Sequence, residues 1–329
     1  NTWEIAHKCE EYTYYKGLDM LPVPEDVDPD EELRKRVIAG LKRKGKTGQV
    51  YRDRAEEELG VIKDKRFAPY FIILDDMTNW ADAQGIRRGF GRGSGAGSLV
   101  NYSLDLTGLD PIEYNLLFFR FLDPSRNDFP DIDLDFDKNR REEVKDFFRR
   151  TFHSVAGIST IGYFQGKSSI RDAARVLRVP LGDVNRALKD NDASLSMNES
   201  YEYYDWFIAT PKGKEFNRKY PEVVELARML HGKLKSFGQH ASAIVASKEP
   251  IENYAPVESA SKTDGSGRAD IIALGMGEVE EIGFIKFDIL GLKTLSIVGD
   301  TLNYIRERHG VEIDVNSLPL DDAAVYEDI

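Results

Sequence analysis

The sequence contains 329 residues, of which 41 % are hydrophobic and 31 % are charged, a composition typical of a globular protein with two or three domains. Its single cysteine, Cys9, excludes an internal disulfide and fits a reducing, cytoplasmic compartment. Its apolar runs are much shorter than the about 20 residues of a membrane-spanning helix, and its first residues lack the order of a signal peptide. Because it lacks an initiating Met and stops abruptly, we expect a fragment of a longer protein.

The net charge of −12 disfavours a nucleic acid partner for the chain as a whole, but this charge is unevenly distributed. The segment from Phe164 to His240 contains 13 basic and 10 acidic residues, so the remaining residues carry a net charge of −15. The middle of the chain is therefore its basic part, and nucleic acid binding is not excluded there.

The first half of the chain is predicted to be mainly helical. Apolar residues at helical spacing predict helices over Asn1 to Lys16, Glu31 to Leu41, Tyr51 to Lys63, Phe67 to Ala83 and Ser98 to Leu106. A short strand at Ile86 precedes a glycine-rich loop, and strict alternation predicts a second strand over Asp131 to Phe136.

The second half mixes the two kinds of element. Helices are predicted over Arg140 to Phe152, Lys167 to Leu177, Leu181 to Leu188, Tyr220 to Leu234 and Leu295 to Arg308. Strands are predicted over Ala243 to Ser247, Ile271 to Leu274 and Gly283 to Leu290. The segment from Glu252 to Ser266 is predicted to be a loop, whereas Leu195 to Ala209 gives no clear pattern.

The first aspartate-rich strand carries the strongest chemical signal. Asp131, Asp133 and Asp135 alternate with apolar residues, so they are expected to share one face of the strand. A row of like charges is unfavourable without a cation, and two Mg²⁺ ions held by carboxylates would supply it. The alternative is a solvated edge strand that its charges keep soluble.

A later strand offers a third carboxylate. Lys286 and Asp288 are expected to share one face there, with apolar residues on the other. If the two strands are neighbours, Asp288 joins the aspartates, and Lys286 balances a phosphate or a carboxylate. The alternative is a simple Lys–Asp pair on a solvated face.

The glycine-rich loop, Gly89 to Ser98, is a candidate phosphate site. Glycines allow backbone N–H groups to approach a ligand, and a helix starting after the loop would direct its positive end there. Arg92, Ser94 and Ser98 add donors. The loop matches neither a Walker P-loop nor a dinucleotide fingerprint, and a flexible turn is the alternative.

Together these segments resemble the alpha subunits of bacterial DNA polymerase III, the C-family polymerases, over nearly the whole chain. The matching segments, in the order of the family, are Gly91 to Val100, Arg120 to Arg126, Pro130 to Phe136, Lys167 with Ile170 to Asp172, His240-Ala241 and Lys286 to Leu292. The chain departs from the family in lacking the N-terminal phosphoesterase domain, most of the fingers and the sliding-clamp motif. It also has Phe129-Pro130 where the family usually has Met-Pro.

The resemblance implies an α+β fold: a polymerase-beta-like nucleotidyltransferase palm, with a mixed sheet and helices, into which a mostly helical thumb is inserted. It places the palm in 1–163 and 240–293, the thumb in 164–239 and the start of the fingers in 294–329. It implies a template-directed DNA polymerase with two Mg²⁺ ions, acting on primer–template DNA and deoxynucleoside triphosphates. The sliding clamp and other replisome subunits would bind regions outside this sequence. The protein would work in the bacterial cytoplasm or in an infected host cell.

The resemblance also implies roles for individual residues. The catalytic and metal-binding residues are Asp131, Asp133 and Asp288. The nucleotide-binding residues are Arg92, Gly93, Ser94, Arg120, Arg126 and Lys286. The DNA-binding residues are Lys167, Arg171, Arg175 and Lys235. Asp135 matches the last aspartate of the signature without a clear ligand role, and a structural hydrogen bond is the alternative to a functional role for His240.

Two other functions stay open on the sequence. The chain can be a non-catalytic DNA-binding fragment, because most of the fingers are missing. It can also be a nucleotidyltransferase that works without a template, although the matches around Arg120 and Lys167 argue against that function.

Overall fold

The computed structural model describes residues 2–8, 21–22, 26–126, 129–189, 195–261, 267–315, 318–319 and 321–327. Residues 9–16 of the first predicted helix, with Cys9, lie outside the described residues. The chain forms two compact units, one made of residues 1–158 and 240–329 and the other of residues 159–239. No helix in the described ranges is long and apolar enough to cross a membrane.

Fifteen helices occur in the described part of the chain. In chain order they are α1 Thr2–Lys8, α2 Pro29–Arg43, α3 Gln49–Asp64, α4 Ala68–Ala83, α5 Leu99–Ser103, α6 Arg141–Thr151, α7 Gly166–Val176, α8 Leu181–Leu188, α9 Leu195–Glu199, α10 Tyr203–Ala209, α11 Pro211–Lys219, α12 Pro221–Leu230, α13 Met276–Glu281, α14 Lys293–His309 and α15 Ala323–Glu327. Their ends follow ordinary capping chemistry. The Asp28 side chain accepts hydrogen bonds from the first N–H groups of α2, and Gly310, with a φ of 66°, ends α14.

Six strands in the described ranges form one mixed sheet. They are β1 Leu134–Asp137, β2 Ser154–Tyr163, β3 Leu234–Ser247, β4 Val257–Ser261, β5 Arg268–Ile272 and β6 Lys286–Leu292, in the order β1-β6-β3-β2-β5-β4. The pairs β1–β6 and β2–β5 are parallel, whereas β3–β6 and β4–β5 are antiparallel. The fold is therefore α+β with a mixed sheet, as predicted at that level.

The core of the first unit explains how β6 is oriented. Phe287 is fully buried, and its ring lies 5.3 Å from that of Tyr70 on α4 and 5.0 Å from that of Phe148 on α6. Burying such a side chain contributes about 2–3 kcal/mol. Because side chains alternate along a strand, this anchoring directs Lys286 and Asp288 to the opposite face of β6.

The second unit has its own core, built by α7, α8 and α10–α12. Tyr203, Tyr204 and Phe207 are fully buried in it, and the Tyr204 hydroxyl donates a hydrogen bond to the carbonyl of Ala227. The bounds of this unit, 159–239, lie close to the predicted insertion over 164–239. Its identity as a thumb stays a prediction.

Several predicted elements differ from the structure. The helix predicted to reach Leu234 ends at Leu230, because Gly232, with a φ of 72°, turns the chain into β3. The unclear segment forms α9 and α10, and part of the predicted loop forms β4. The elements β2, α11, α13 and α15 were not predicted. Thr210, which caps α11, and Pro211 at its first turn were a usable signal for that helix.

Candidate active site

Three carboxylates meet where β1 and β6 lie side by side. Asp131 and Asp133 directly precede β1, and Asp288 is the third residue of β6. One carboxylate oxygen from each lies within 4.8 Å of the others. Asp131 is exposed, and the other two are half-buried. The parallel pairing of Leu134 with Ile289 therefore brings together residues that lie far apart in the sequence.

The prediction of one strand over Asp131 to Phe136 was wrong at its start. The strand begins at Leu134, so Asp131 and Asp133 belong to the segment before it. Asp135 lies within β1 and is buried instead of sharing a solvated face with the other two. Among the described residues, the metal-sized cluster consists of Asp131, Asp133 and Asp288 and does not include Asp135.

Lys286 is paired with two of the three carboxylates. Its ammonium nitrogen lies 3.0 Å from Asp288 and 3.3 Å from Asp131. Burial alone would lower the pKa of Lys286, but the hydrogen bond to Asp288 and the charges of Asp288 and Asp131 outweigh burial and raise it. Lys286 therefore stays cationic and offsets part of the negative charge.

Arg92 binds Asp135, the fourth aspartate of this region. Its guanidinium donates two hydrogen bonds to Asp135, at 2.7 and 3.2 Å, and lies 3.9 Å from Asp133. The Arg92 segment is held beside β1 because the Gly89 N–H donates to the Asp135 carbonyl at 2.8 Å. The role left open for Asp135 is thus, in this structure, the anchoring of Arg92.

The pKa of Asp133 reflects the crowding of negative charges at the cluster. Burial raises the pKa of Asp133, the charges of Asp131 and Asp288 add to the rise, and Arg92 and Lys286 oppose it. Below this cluster, burial raises the pKa of Tyr70, whose hydroxyl faces the backbone N–H of Ile132. A phenol held neutral under three carboxylates adds no further negative charge.

The donor set fits a divalent oxygen-seeking cation. Asp131, Asp133, Asp135 and Asp288 carry two more charges than Lys286 and Arg92 supply. Carboxylate oxygens are the ligands that Mg²⁺ uses, together with water and substrate phosphates. Asp131, Asp133 and Asp288 are the residues able to hold such an ion.

The glycine-rich loop differs from the prediction in one respect. Gly93–Gly97 forms a 3₁₀ turn, and α5 begins at Leu99. The N–H groups of Leu99 and Val100 do not face a ligand site, because both donate to the buried carboxylate of Glu58. The expectation that this helix end serves phosphate was wrong, whereas Gly93 and Ser94 are exposed.

The remaining predicted nucleotide-binding residues lie elsewhere in the first unit. Arg120 and Arg126 are exposed, and the Arg126 guanidinium lies 3.7 Å from Asp123. Within the described ranges, neither arginine contacts the three clustered aspartates.

The predicted DNA-binding residues all belong to the second unit. Arg175 and Lys235 both bind Asp172, at 3.1 and 2.8 Å, and Arg171 is exposed one helical turn before Arg175. The Lys167 backbone N–H donates to Asn198 at 2.9 Å. The hydrogen bond from Lys235 lowers the pKa of Asp172, so this carboxylate is ionised and partly neutralises the cations around it.

Sequence reasoning missed Ser242. Its hydroxyl donates to Asp288 at 3.0 Å, and β3 reaches this position because Ala243 pairs with Asp288. His240, for which a structural role was the alternative, accepts a hydrogen bond from the Ala243 N–H at 3.0 Å. Lys145, which is buried, donates to the carbonyl of Ala241 at 2.9 Å. No sequence pattern signals these contacts, since each one crosses between elements or closes a local turn.

Comparison with known proteins identifies the family. Residues 30–291 match the model of the bacterial DNA polymerase III alpha NTPase domain. The chain belongs to this family. It is 35 % identical to the DNA polymerase III subunit alpha of Xylella fastidiosa strain Temecula1 over 353 residues, which cover 100 % of this chain and 29 % of that protein. It is 36 % identical to the subunit of Mycobacterium tuberculosis strain CDC 1551 over 346 residues, which cover 99 % of this chain and 29 % of that protein.

The DNA polymerase III alpha match involves only part of each relative. The subunit of Neisseria meningitidis strain Z2491 is 35 % identical over 346 residues. This match covers 99 % of this chain and 30 % of that protein. The chain thus spans about three-tenths of the length of the curated relatives it matches. The matched region, 30–291, contains all three clustered aspartates and Lys286.

Proposed function

We propose that the chain is the part of a DNA polymerase III alpha subunit that holds its catalytic centre and works in the bacterial cytoplasm or an infected host cell. Primer–template DNA and deoxynucleoside triphosphates are its substrates. The observation that carries this proposal is the meeting of Asp131, Asp133 and Asp288 within 4.8 Å, inside a region that matches the family.

In this proposal Asp131, Asp133 and Asp288 hold two Mg²⁺ ions. Such ions lower the pKa of an attacking hydroxyl and neutralise charge on the transferred and leaving phosphoryl oxygens. The primer 3′-hydroxyl attacks the alpha-phosphorus, a new phosphodiester forms, and pyrophosphate leaves. The chain's own task is to hold Asp131 and Asp133, directly before β1, close to Asp288 on β6, and a packed core keeps the two strands in register.

The triphosphate would bind beside the aspartates. Lys286 already contacts two of them and is free to balance a phosphate once divalent cations replace it. Gly93 and Ser94 offer exposed backbone and hydroxyl donors. Arg92 would order this loop through Asp135 and extend its outer guanidinium nitrogen towards the substrate. Arg120 and Arg126 would contact phosphates more remotely.

The second unit would act as a thumb that grips the duplex backbone. Its exposed cations, Arg171, Arg175 and Lys235, and the half-buried Lys167 offer phosphate contacts that are independent of sequence. Residues 294–329 would begin the fingers, while residues 1–163 and 240–293 form the palm, of the polymerase-beta type. Sliding-clamp and replisome partners would bind regions outside this sequence.

Primer extension tests the proposed function. A hairpin primer–template, Mg²⁺ and the four deoxynucleotides are incubated with the full-length subunit, with this chain alone and with the full-length Asp133→Ala variant. We expect template-directed extension by the full-length subunit and none by the variant. A full-length subunit that extends nothing with Mg²⁺ or Mn²⁺ would leave the chain as a DNA-binding module, and extension that ignores the template would make it another nucleotidyltransferase.

Ser242→Ala tests how Asp288 is held. Removing the hydroxyl deletes one hydrogen bond to a charged group, which contributes about 1.5–3 kcal/mol. We expect extension by the full-length subunit to slow by about tenfold at fixed Mg²⁺. Ser247→Ala, on the same strand but bonded to the Glu249 N–H, is the matched control and should keep its rate. Equal rates for the two variants would mean that Ser242 does not position Asp288.

A further inference from the structure

Glu58 on α3 is a carboxylate with no exposure to solvent. One of its oxygens accepts hydrogen bonds from the Arg54 side chain at 2.7 Å and the Leu99 N–H at 2.9 Å. The other accepts from the Ser98 hydroxyl at 2.8 Å and the Val100 N–H at 3.0 Å. Burial raises the pKa of Glu58, and the four donors oppose that rise. Four donors on two oxygens match the ionised form.

Arg54 extends this contact to the other side of the loop. Its terminal nitrogen donates to the carbonyls of Gly97 at 2.9 Å and Leu116 at 3.1 Å. At Gly97 the two segments approach so closely that an added Cβ would lie 2.6 Å from the Leu117 carbonyl oxygen. The Arg54–Glu58 pair therefore ties the loop, the start of α5 and the segment that follows Leu116 into one unit.

This pair divides the glycine-rich loop into two halves. The half from Gly97 to Val100 is buried, and its polar groups are bound to Glu58 and Arg54. The half at Gly93 and Ser94 is exposed, and Gly93 has a φ of 69°, a conformation that side chains disfavour. An internal carboxylate thus occupies the helix end where other glycine-rich loops bind phosphate.

We propose that Glu58 and Arg54 are positioning residues which hold the buried half of the loop rigid, so that Gly93 and Ser94 present a preformed backbone to the triphosphate. This inference rests on the proposed polymerase function and adds a specific consequence. The pair acts on nucleotide binding, because it contacts the loop, and it does not contact the three clustered aspartates within the described ranges.

Glu58→Gln in the full-length subunit tests this role. The NH₂ group of the glutamine amide must replace one of the two Glu58 oxygens. In one orientation it faces the Val100 N–H, donor against donor, and in the other it leaves Arg54 without an acceptor. In either case the loop loses its fixed position. We expect the KM for the incoming nucleotide to rise by about tenfold. The kcat and the KM for primer–template should change less than about twofold. Glu57→Gln, exposed on the same helix, is the matched control and should match the wild type.

The outcomes separate the possibilities. A wild-type nucleotide KM in Glu58→Gln overturns the proposal. If Glu58→Gln does not fold, Arg54→Lys decides, since it keeps a cation near Glu58 but loses the fork to Gly97 and Leu116. That variant should raise the nucleotide KM alone, and an unchanged KM refutes the role. An inactive wild type and Glu57→Gln would instead show that the polymerase function itself fails.

Discussion

Asp288→Ala is expected to reduce primer extension by the full-length subunit by about a thousandfold. Losing one carboxylate of the proposed two-metal centre would remove several kcal/mol of transition-state stabilisation. Asp288 also binds Lys286 and Ser242, so its loss disturbs the neighbours of the carboxylate cluster as well. This cluster is the only metal-sized group of carboxylates among the described residues. Single-turnover extension at saturating nucleotide measures the effect. The control is Asp300→Ala, an exposed carboxylate on α14, which should keep the wild-type rate.

A measurement without turnover checks the same assignment. Added Mg²⁺ should stabilise the wild-type protein and raise its melting temperature. The free energy of unfolding should increase by about 2.7 kcal/mol when the ion concentration is 100 times its dissociation constant. Asp131→Ala should lose most of this response. Without Mg²⁺ it should be as stable as the wild type or more so, because one of three repelling carboxylates is gone. An equal Mg²⁺ response in both proteins would contradict the metal site.

The salt dependence of duplex binding is the second large effect that we expect. Wild-type affinity should fall by orders of magnitude between about 50 and 200 mM salt if the second unit contacts DNA phosphates. Replacing Arg171, Arg175 and Lys235 together by alanine should make the slope of log affinity against log salt shallower by about 2.7, or about 0.9 per phosphate contact. Fluorescence anisotropy with a labelled duplex measures both quantities.

Asp172 gives this experiment a variant of opposite sign. It binds both Arg175 and Lys235, so Asp172→Asn releases two cations and removes one negative charge. Its duplex affinity should rise while the triple variant's falls. Arg186→Ala, an exposed arginine on another helix of the same unit, is the matched control. Wild-type binding that ignores salt, or a fall in affinity for Asp172→Asn, would place the DNA elsewhere.

The sequence was informative where one face of an element sets its pattern. Lys286 and Asp288 could be placed on the same face of β6 because Phe287 and Ile289 are buried on the other. It was uninformative for β2, where the residues from Ala156 to Ser159 are all buried. An interior strand covered on both faces has no polar alternation, so periodicity cannot reveal it.

Long-range partners account for the errors at the site. Alternation treats Asp131, Asp133 and Asp135 alike, but the buried Asp135 pairs with the exposed Arg92, while the other two aspartates cluster with Asp288. Similarly, the start of α5 was expected to face phosphate because a helix there begins directly after a glycine-rich loop. Glu58, about 40 residues earlier, satisfies it. Such partners depend on tertiary packing, which local patterns do not contain.

The order of the sheet has a consequence for how the chain folds. Strand β6 is the last of the six in sequence, yet it inserts between β1 and β3 and is the only one of the described strands that β1 pairs with. Until residues 286–292 have been synthesised, β1 has no partner strand, and Asp131 and Asp133 have no third carboxylate. Contacts of such long sequence separation form slowly. During synthesis, a nascent chain would therefore contain all residues of the second unit before the three carboxylates of the proposed metal site could meet.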